Sequence, residues 1–151
     1  MVQIKVDASF FSKELSSELE LLGVTVSDRS KFYLTQSKDK NWLLLDSEKR
    51  KLEIDFDLNK HDYNRTHKGS GELMARALGV KDKIKKVVDL TSGLGIDAVL
   101  LSQIGFEVTS IERNPLLYFL LKRAQEKSVR KEIQNQQVIL NQKVTFSRES
   151  S

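Results

Sequence analysis

The 151-residue sequence contains no cysteine and only two histidines, His61 and His67. Without cysteine the chain can form no disulfide, thiol nucleophile or thiolate metal site, and two histidines are too few for a typical zinc site. No apolar run approaches the ~20 residues that a membrane-spanning helix needs. The N-terminus also lacks the apolar core of a signal peptide. These absences predict a cytoplasmic protein with no metal site and no membrane contact.

The composition is that of an ordinary soluble domain with a modest basic surplus. Charged residues make up 30% of the chain and hydrophobic residues 39%, with a net charge of +4. The basic residues cluster in residues 60–68, 81–86 and 122–131. Such clusters are compatible with a polyanionic partner such as RNA. For any single cluster, solvated surface lysines are the simpler interpretation, so charge alone does not identify the partner.

The N-terminal part of the sequence predicts a small α+β subdomain over residues 1–69. Apolar residues at helical spacing predict a helix over 9–22, with Ser9 as its cap and Gly23 at its end. Three strand-like segments with polar breaks predict an antiparallel meander over 32–35, 42–45 and 52–56. Residues 57–69 are predicted to form a basic loop, and 70–78 a short helix that begins the second part of the chain.

The most informative segment is a strand, a glycine turn and a helix start. Val87 and Val88 lead into Asp89, and Gly93 and Gly95 then precede an apolar run. Seventeen residues after Gly95 comes Glu112, at the end of a second strand-like run, 106–111. This layout is typical of a nucleoside-binding doubly wound fold, in which glycines admit the ligand and an acid accepts hydrogen bonds from ribose hydroxyls.

The spacing of these residues does not decide which nucleoside ligand binds. Gly93-x-Gly95-x-x-Ala98 satisfies the dinucleotide pattern, so an NAD(P)-binding oxidoreductase domain is one candidate. Asp89 and Asp97 flank the loop, however, and two carboxylates would repel a pyrophosphate while suiting a cationic ligand. S-adenosylmethionine (SAM) has an ammonium, a sulfonium and no phosphate, so the charges favour it. A plain strand-turn-helix connection with Asp97 as N-cap is the alternative without function.

The rest of the chain extends this fold by only a few elements. Helices are predicted from about 97 to 104 and from Pro115, capped by Asn114, to about 140, followed by a third strand over 143–147. Residues 70–151 are therefore predicted to form the first half of a Rossmann-like fold. The third strand would lie at an open sheet edge, through which the chain could self-associate.

Two motifs resemble a bacterial family of small-subunit ribosomal RNA methyltransferases that use SAM to modify the exocyclic N2 of a guanine. The motifs are Asp89-Leu90-Thr91-Ser92-Gly93-Leu94-Gly95-Ile96-Asp97-Ala98 and Val108-Thr109-Ser110-Ile111-Glu112-Arg113-Asn114-Pro115. The resemblance implies a cofactor, SAM, and a partner, the RNA of the small ribosomal subunit. It also implies a set of cofactor-binding residues, namely Asp89, Thr91, Ser92, Gly93, Leu94, Gly95, Ile96, Asp97, Glu112, Arg113, Ser150 and Ser151.

The departures from the family pattern qualify this expectation. Ile96 stands where the family has an arginine, and Ser150 and Ser151 match a serine pair that lies near the adenine. The family's catalytic Asp-Pro motif has no counterpart, because the only proline is Pro115 and it begins a helix. The resemblance therefore implies a cofactor-binding part that is inactive alone, with no catalytic residue. A non-catalytic RNA-binding module is the further alternative.

Overall fold

The computed structural model describes residues 2–56, 77–78, 86–134 and 144–148. Its elements, in chain order, are β1 (Val2–Val6), α1 (Lys13–Leu21), β2 (Val24–Val26), β3 (Tyr33–Gln36), β4 (Trp42–Leu45), β5 (Lys51–Glu53), β6 (Lys86–Asp89), α2 (Ile96–Ile104), β7 (Glu107–Glu112), α3 (Pro115–Gln134) and β8 (Val144–Arg148). They form a five-stranded sheet, ordered β2-β1-β3-β4-β5, and a three-stranded sheet, ordered β6-β7-β8. The predicted α/β class is confirmed.

The five-stranded sheet contains the predicted meander and two further strands. Strands β3, β4 and β5 pair antiparallel, as the three strand-like segments predicted. The strands that were not predicted are β1 and β2, which pair parallel with each other, while β1 also pairs parallel with β3. Alternation of apolar and polar residues in Val2–Val6 is the period of a half-buried strand, so the signal for β1 was present in the sequence.

Helix α1 begins later than predicted because a different serine caps it. The Oγ of Ser12 accepts a hydrogen bond from the backbone N–H of Leu15 at 3.1 Å, so Ser12 is the N-cap. Ser9 instead lies in a turn, where its backbone N–H donates to the Asp7 carboxylate at 3.0 Å. The predicted cap at Ser9 is therefore wrong. The helix buries Leu15 and Leu19 against the sheet.

The three-stranded sheet is parallel throughout, so the carboxyl ends of its strands meet at one edge. In register, Asp89 of β6 lies beside Ser110 of β7, and Glu112 of β7 lies beside Arg148 of β8. Ligands of open α/β sheets bind at this carboxyl edge. The fold thus brings the two predicted acids, Asp89 and Glu112, to the same end of the sheet.

Helix α3 begins where the sequence predicts it. The Oδ1 of Asn114 accepts from the backbone N–H groups of Leu116 at 3.0 Å and Leu117 at 3.3 Å, and Pro115 is the first helical residue. The confirmed cap and proline fix the helix start immediately after Glu112. The predicted extension towards residue 140 lies outside the described residues.

Helix α3 also joins the two sheets. The ring of Phe119 meets Trp42 of β4 edge-on, with centroids 5.5 Å apart. Further along the helix Arg123 pairs with Glu18 of α1, and Lys127 donates to the side-chain oxygen of Asn41. The buried apolar residues of both sheets and of all three helices therefore form one continuous core.

Both outer strands of the three-stranded sheet lie at its edges, because β7 pairs with β6 on one side and β8 on the other. Among the described strands, β8 lies at an edge, as predicted for the third strand. The other edge strand, β6, exposes apolar surface, with Val88 59% exposed and Leu90, just after the strand, 72% exposed. Most of the predicted helix 70–78, the loop 57–69 and the boundary between 69 and 70 lie outside the described residues.

No described helix is long and apolar enough to cross a membrane. No cluster of His, Asp or Glu with metal-ligand geometry occurs within residues 2–56, 77–78, 86–134 and 144–148.

Candidate functional site

The loop between β6 and α2 is a tight turn held by backbone hydrogen bonds. The N–H of Ser92 donates to the carbonyl of Ile111 in β7 at 3.0 Å, and the N–H of Gly95 donates to the carbonyl of Ser92 at 2.7 Å. Gly93 and Gly95 adopt left-handed conformations, with φ of 51° and 73°. Gly95 itself is the N-cap of α2, so the predicted alternative cap at Asp97 is wrong.

The two glycines have different surroundings. A Cβ on Gly95 would lie 2.7 Å from the side chain of Leu121 and 3.0 Å from the rings of Phe146 and Phe56. Among the described residues, a Cβ on Gly93 would meet only the carbonyl oxygen of Thr91, at 3.8 Å. Gly95 is therefore required by the packing of the protein itself, whereas the described residues leave space beside Gly93 where a ligand can approach the backbone.

Glu112 ties the glycine loop to the start of α3. The residue is only 8% exposed. Its Oε2 accepts from the backbone N–H of Gly93 at 3.1 Å, and its Oε1 accepts from the backbone N–H of Asn114 at 2.7 Å. Each carboxylate oxygen has a second lone pair, so the group can also accept hydrogen bonds from hydroxyl groups of a ligand. Its position supports the ribose-binding role that the sequence predicted.

Asp89 is likewise held by the loop and by β7. Its Oδ1 accepts from the backbone N–H of Thr91 at 3.0 Å, and its Oδ2 accepts from the hydroxyl of Ser110 at 2.7 Å. The same Ser110 hydroxyl lies 2.6 Å from the hydroxyl of Ser92. Sequence reasoning missed Ser110, although a polar residue two positions after the buried Val108 of the same strand marks an inward-facing polar position.

The other predicted residues of this segment lie at the surface around the loop. Leu94 is 42% exposed and Ile96 is 37% exposed. Thr91, Asp97 and Arg113 are also exposed. Asp97 lies in the first turn of α2, which confirms the carboxylate at this helix start. Ser150 and Ser151 lie outside the described residues, so their adenine-binding role stays a prediction.

A cavity of about 710 Å³ lies elsewhere, between α1, β4 and α3. Its aromatic and charged lining includes Phe10, Trp42, Arg123, Glu126 and Lys127. These cations are already paired, Arg123 with Glu18 and Glu126, and Lys127 with Asn41. No residue of the glycine loop between β6 and α2 lines this cavity. The carboxyl edge, with its glycines and two acids, is the better candidate site.

A parallel sheet with a glycine loop after one strand and an acid at the tip of the next defines a nucleoside-binding doubly wound domain. Residues 17–150 match a family model described as "Putative SAM-dependent methyltransferase", and the chain belongs to this family. The expectation of SAM as cofactor, in preference to NAD, is confirmed by this family model.

Named relatives give the same picture. The chain is similar to ribosomal RNA small subunit methyltransferase J of Bdellovibrio bacteriovorus, with 55% identity over 52% of this chain and 32% of that protein. Its counterpart in Saccharophagus degradans is 35% identical over 76% of this chain and 44% of that protein. The chain therefore spans less than half the length of these curated relatives.

A solved structure has the same fold. A SAM-dependent methyltransferase from Neisseria gonorrhoeae matches 99% of this chain and 60% of its own chain, with a TM-score of 0.74 and 22% sequence identity. At this identity the likeness shows the fold alone. It confirms the expected Rossmann-like methyltransferase architecture.

Proposed function

We propose that this chain forms the cofactor-binding part of a SAM-dependent methyltransferase that acts on N2 of a guanine in small-subunit ribosomal RNA. The observation that carries the proposal is the carboxyl edge of the parallel sheet, where Glu112 accepts from the N–H of Gly93 while Asp89 holds the other end of the same loop. The names of the relatives support ribosomal RNA as the substrate.

The charges around the loop suit the proposed ligand. Asp89 and Asp97 lie on either side of Gly93 and Gly95, and both would attract the ammonium and sulfonium of SAM. Asp89 and the loop backbone would face the methionine part, and Glu112 would hold the ribose hydroxyls. When bound, SAM supplies an electrophilic methyl group. The residues of this chain bind and orient it, which is the main contribution an enzyme makes to such a transfer.

Methylation at N2 of a guanine requires that the enzyme gain access to the base. The guanine would have to leave its stack for its N2 to reach the methyl group. The net charge of +4 is compatible with binding to RNA of the small ribosomal subunit.

We further propose that the chain divides into two parts between residues 69 and 70 and that the protein is cytoplasmic. We also propose that it self-associates through the sheet edges at β6 and β8.

Calorimetry with S-adenosylhomocysteine and NADH tests the cofactor. We expect the 151-residue protein to bind S-adenosylhomocysteine and not NADH, because Asp89 and Asp97 repel a pyrophosphate. S-adenosylhomocysteine keeps the ammonium and the ribose of SAM, so it reports both ends of the site. Binding of NADH alone would favour the oxidoreductase alternative and overturn the proposal.

These 151 residues alone are expected to show no methyl transfer to small ribosomal subunits that lack the modification. Pro115 is the only proline, so no Asp-Pro element can orient the target amine, and alignment alone can supply roughly 7–11 kcal/mol of a barrier. Transfer of labelled methyl from SAM is the measurement. Turnover by the 151-residue protein would place the catalytic group within the present sequence.

Gel shifts with ribosomal RNA across salt concentrations test the non-catalytic RNA-binding alternative.

Glu112→Ala is expected to weaken S-adenosylhomocysteine binding at least about tenfold, since hydrogen bonds to a charged group contribute about 1.5–3 kcal/mol each. Glu107→Ala is the matched control. Glu107 begins the same strand at the opposite end, is 62% exposed and pairs with Lys86 at 3.5 Å. Calorimetry on both variants, with thermal unfolding as a check, gives the comparison. Equal affinities in the two variants would remove Glu112 from the site.

A further inference from the structure

A row of three hydrogen-bonded side chains connects the glycine loop to β6 through β7. Ser92 of the loop contacts Ser110 with their hydroxyl oxygens 2.6 Å apart, and Ser110 contacts the Asp89 carboxylate at 2.7 Å. Ser92 is 6% exposed and Ser110 is fully buried at 0%. The middle member, Ser110, is not among the cofactor-binding residues that the resemblance implies.

The direction of these hydrogen bonds is fixed by chemistry. An ionised carboxylate can only accept, so Ser110 must donate its single hydroxyl proton to Asp89. Ser110 then has only lone pairs to offer Ser92, and Ser92 must be the donor to Ser110. The order is therefore Ser92 to Ser110 to Asp89. Removing the middle hydroxyl would leave Ser92 without an acceptor and one Asp89 oxygen without a donor.

The fold itself does not require a hydroxyl at this position. Strand β7 pairs on both sides through its backbone, with Asp89 and Phe146 as the neighbours of Ser110 in register. An apolar residue would suit a fully buried strand position better, because a buried hydroxyl is costly unless it is hydrogen-bonded. The hydroxyl of Ser110 therefore serves its two partners, both of which belong to the candidate cofactor site.

We infer that Ser110 is a positioning residue, which holds the Asp89 carboxylate and Ser92 in the geometry that receives the cofactor. The inference rests on the proposed function, in that SAM is the ligand received. Asp89 in turn accepts from the N–H of Thr91. Ser110 thereby also sets the course of the backbone that leads to Gly93.

The test compares two buried serines. Ser102 of α2 is also 0% exposed, and its hydroxyl donates to the carbonyl of Val99 at 2.7 Å. Ser110→Ala and Ser102→Ala each remove one buried hydroxyl from the same half of the chain. We expect only Ser110→Ala to increase hydrogen exchange at the amides of Thr91 and Ser92, by about tenfold or more, since one buried hydrogen bond to a charged group is lost.

Calorimetry with S-adenosylhomocysteine provides the second measurement. We expect about a tenfold loss of affinity in Ser110→Ala and unchanged affinity in Ser102→Ala. A double-mutant cycle with Ser92→Ala adds a readout that a general packing defect would not give. The two changes should be less than additive, because either one breaks the same row of hydrogen bonds.

The outcomes separate this inference from the proposed function. Hydrogen exchange needs no ligand, so it tests the role of Ser110 even if the wild-type protein does not bind S-adenosylhomocysteine. Such a failure to bind would overturn only the proposed function. Equal loop exchange in Ser110→Ala and Ser102→Ala would overturn the inference. If Ser110→Ala does not fold, Ser110→Cys takes its place, because a thiol is of similar size and donates only weakly. Wild-type hydrogen exchange at Thr91 and Ser92 in that variant would also overturn the inference.

Discussion

Gly95→Ala is expected to lower the free energy of unfolding by about 2–5 kcal/mol. An alanine at the φ of 73° found there costs about 1–2 kcal/mol of backbone strain. Its Cβ would also lie 2.7 Å from Cδ2 of Leu121, a fully buried side chain that would have to shift within the packed core. Overpacking of this kind costs about 1–3 kcal/mol more. Denaturant unfolding monitored by the single tryptophan, Trp42, measures the loss.

Gly23→Ala is the matched control for this prediction. Gly23 has nearly the same backbone conformation, with a φ of 70°, but a Cβ there would meet only the guanidinium of Arg148 at 3.9 Å. Its substitution should therefore cost the strain alone, about 1–2 kcal/mol. Equal destabilisation by the two substitutions would contradict the close packing of Gly95 against Phe56, Leu121 and Phe146.

The parts of the fold that the sequence predicted are those set by local chemistry. The start of α3 was predicted correctly because Asn114 caps the helix and the fixed φ of Pro115 suits its first residue. The meander followed from alternating side chains and polar breaks, which determine strands without reference to the rest of the chain.

The parts that were missed depend on contacts distant in sequence. Choice of Ser12 over Ser9 as the cap of α1 depends on where the chain leaves β1, and both serines satisfy the local pattern. The tight packing of Gly95 involves Phe56, which precedes it by 39 residues, and Phe146, which follows it by 51. No local pattern reports such a neighbour. The sequence therefore identified both glycines without distinguishing their roles.

The site shows the same division. Glu112 was predicted as a ribose acceptor from its place at a strand tip, and the structure adds that it also accepts from the N–H of Gly93. Register between parallel strands brings Ser110 beside Asp89, and register cannot be read from one strand alone. The sequence therefore singled out Asp89 and Glu112, which the fold brings to one edge of the sheet, but not the contact between Ser110 and Asp89 across the sheet.

Gly93→Val is expected to abolish binding of S-adenosylhomocysteine while the protein stays folded. The φ of 51° at Gly93 makes a valine strained by about 1–3 kcal/mol, which is less than the usual stability of a domain, about 5–15 kcal/mol. Among the described residues, the added Cβ would meet nothing closer than the Thr91 carbonyl oxygen at 3.8 Å, so it makes no close contact with them. The proposed ligand must lie against the backbone in the space beside this Cβ, so the valine and the ligand exclude each other.

Gly23→Val separates this steric exclusion from strain, because it places the same side chain at a positive φ of 70° away from the loop. We expect Gly23→Val to lose a similar amount of stability and to bind S-adenosylhomocysteine as the wild type does. Calorimetry with both variants, below their unfolding temperatures, gives the comparison. Wild-type affinity in folded Gly93→Val would mean that the ligand does not approach the backbone at Gly93. The glycine loop would then serve only the turn between β6 and α2, and the proposed cofactor site would have to be placed elsewhere.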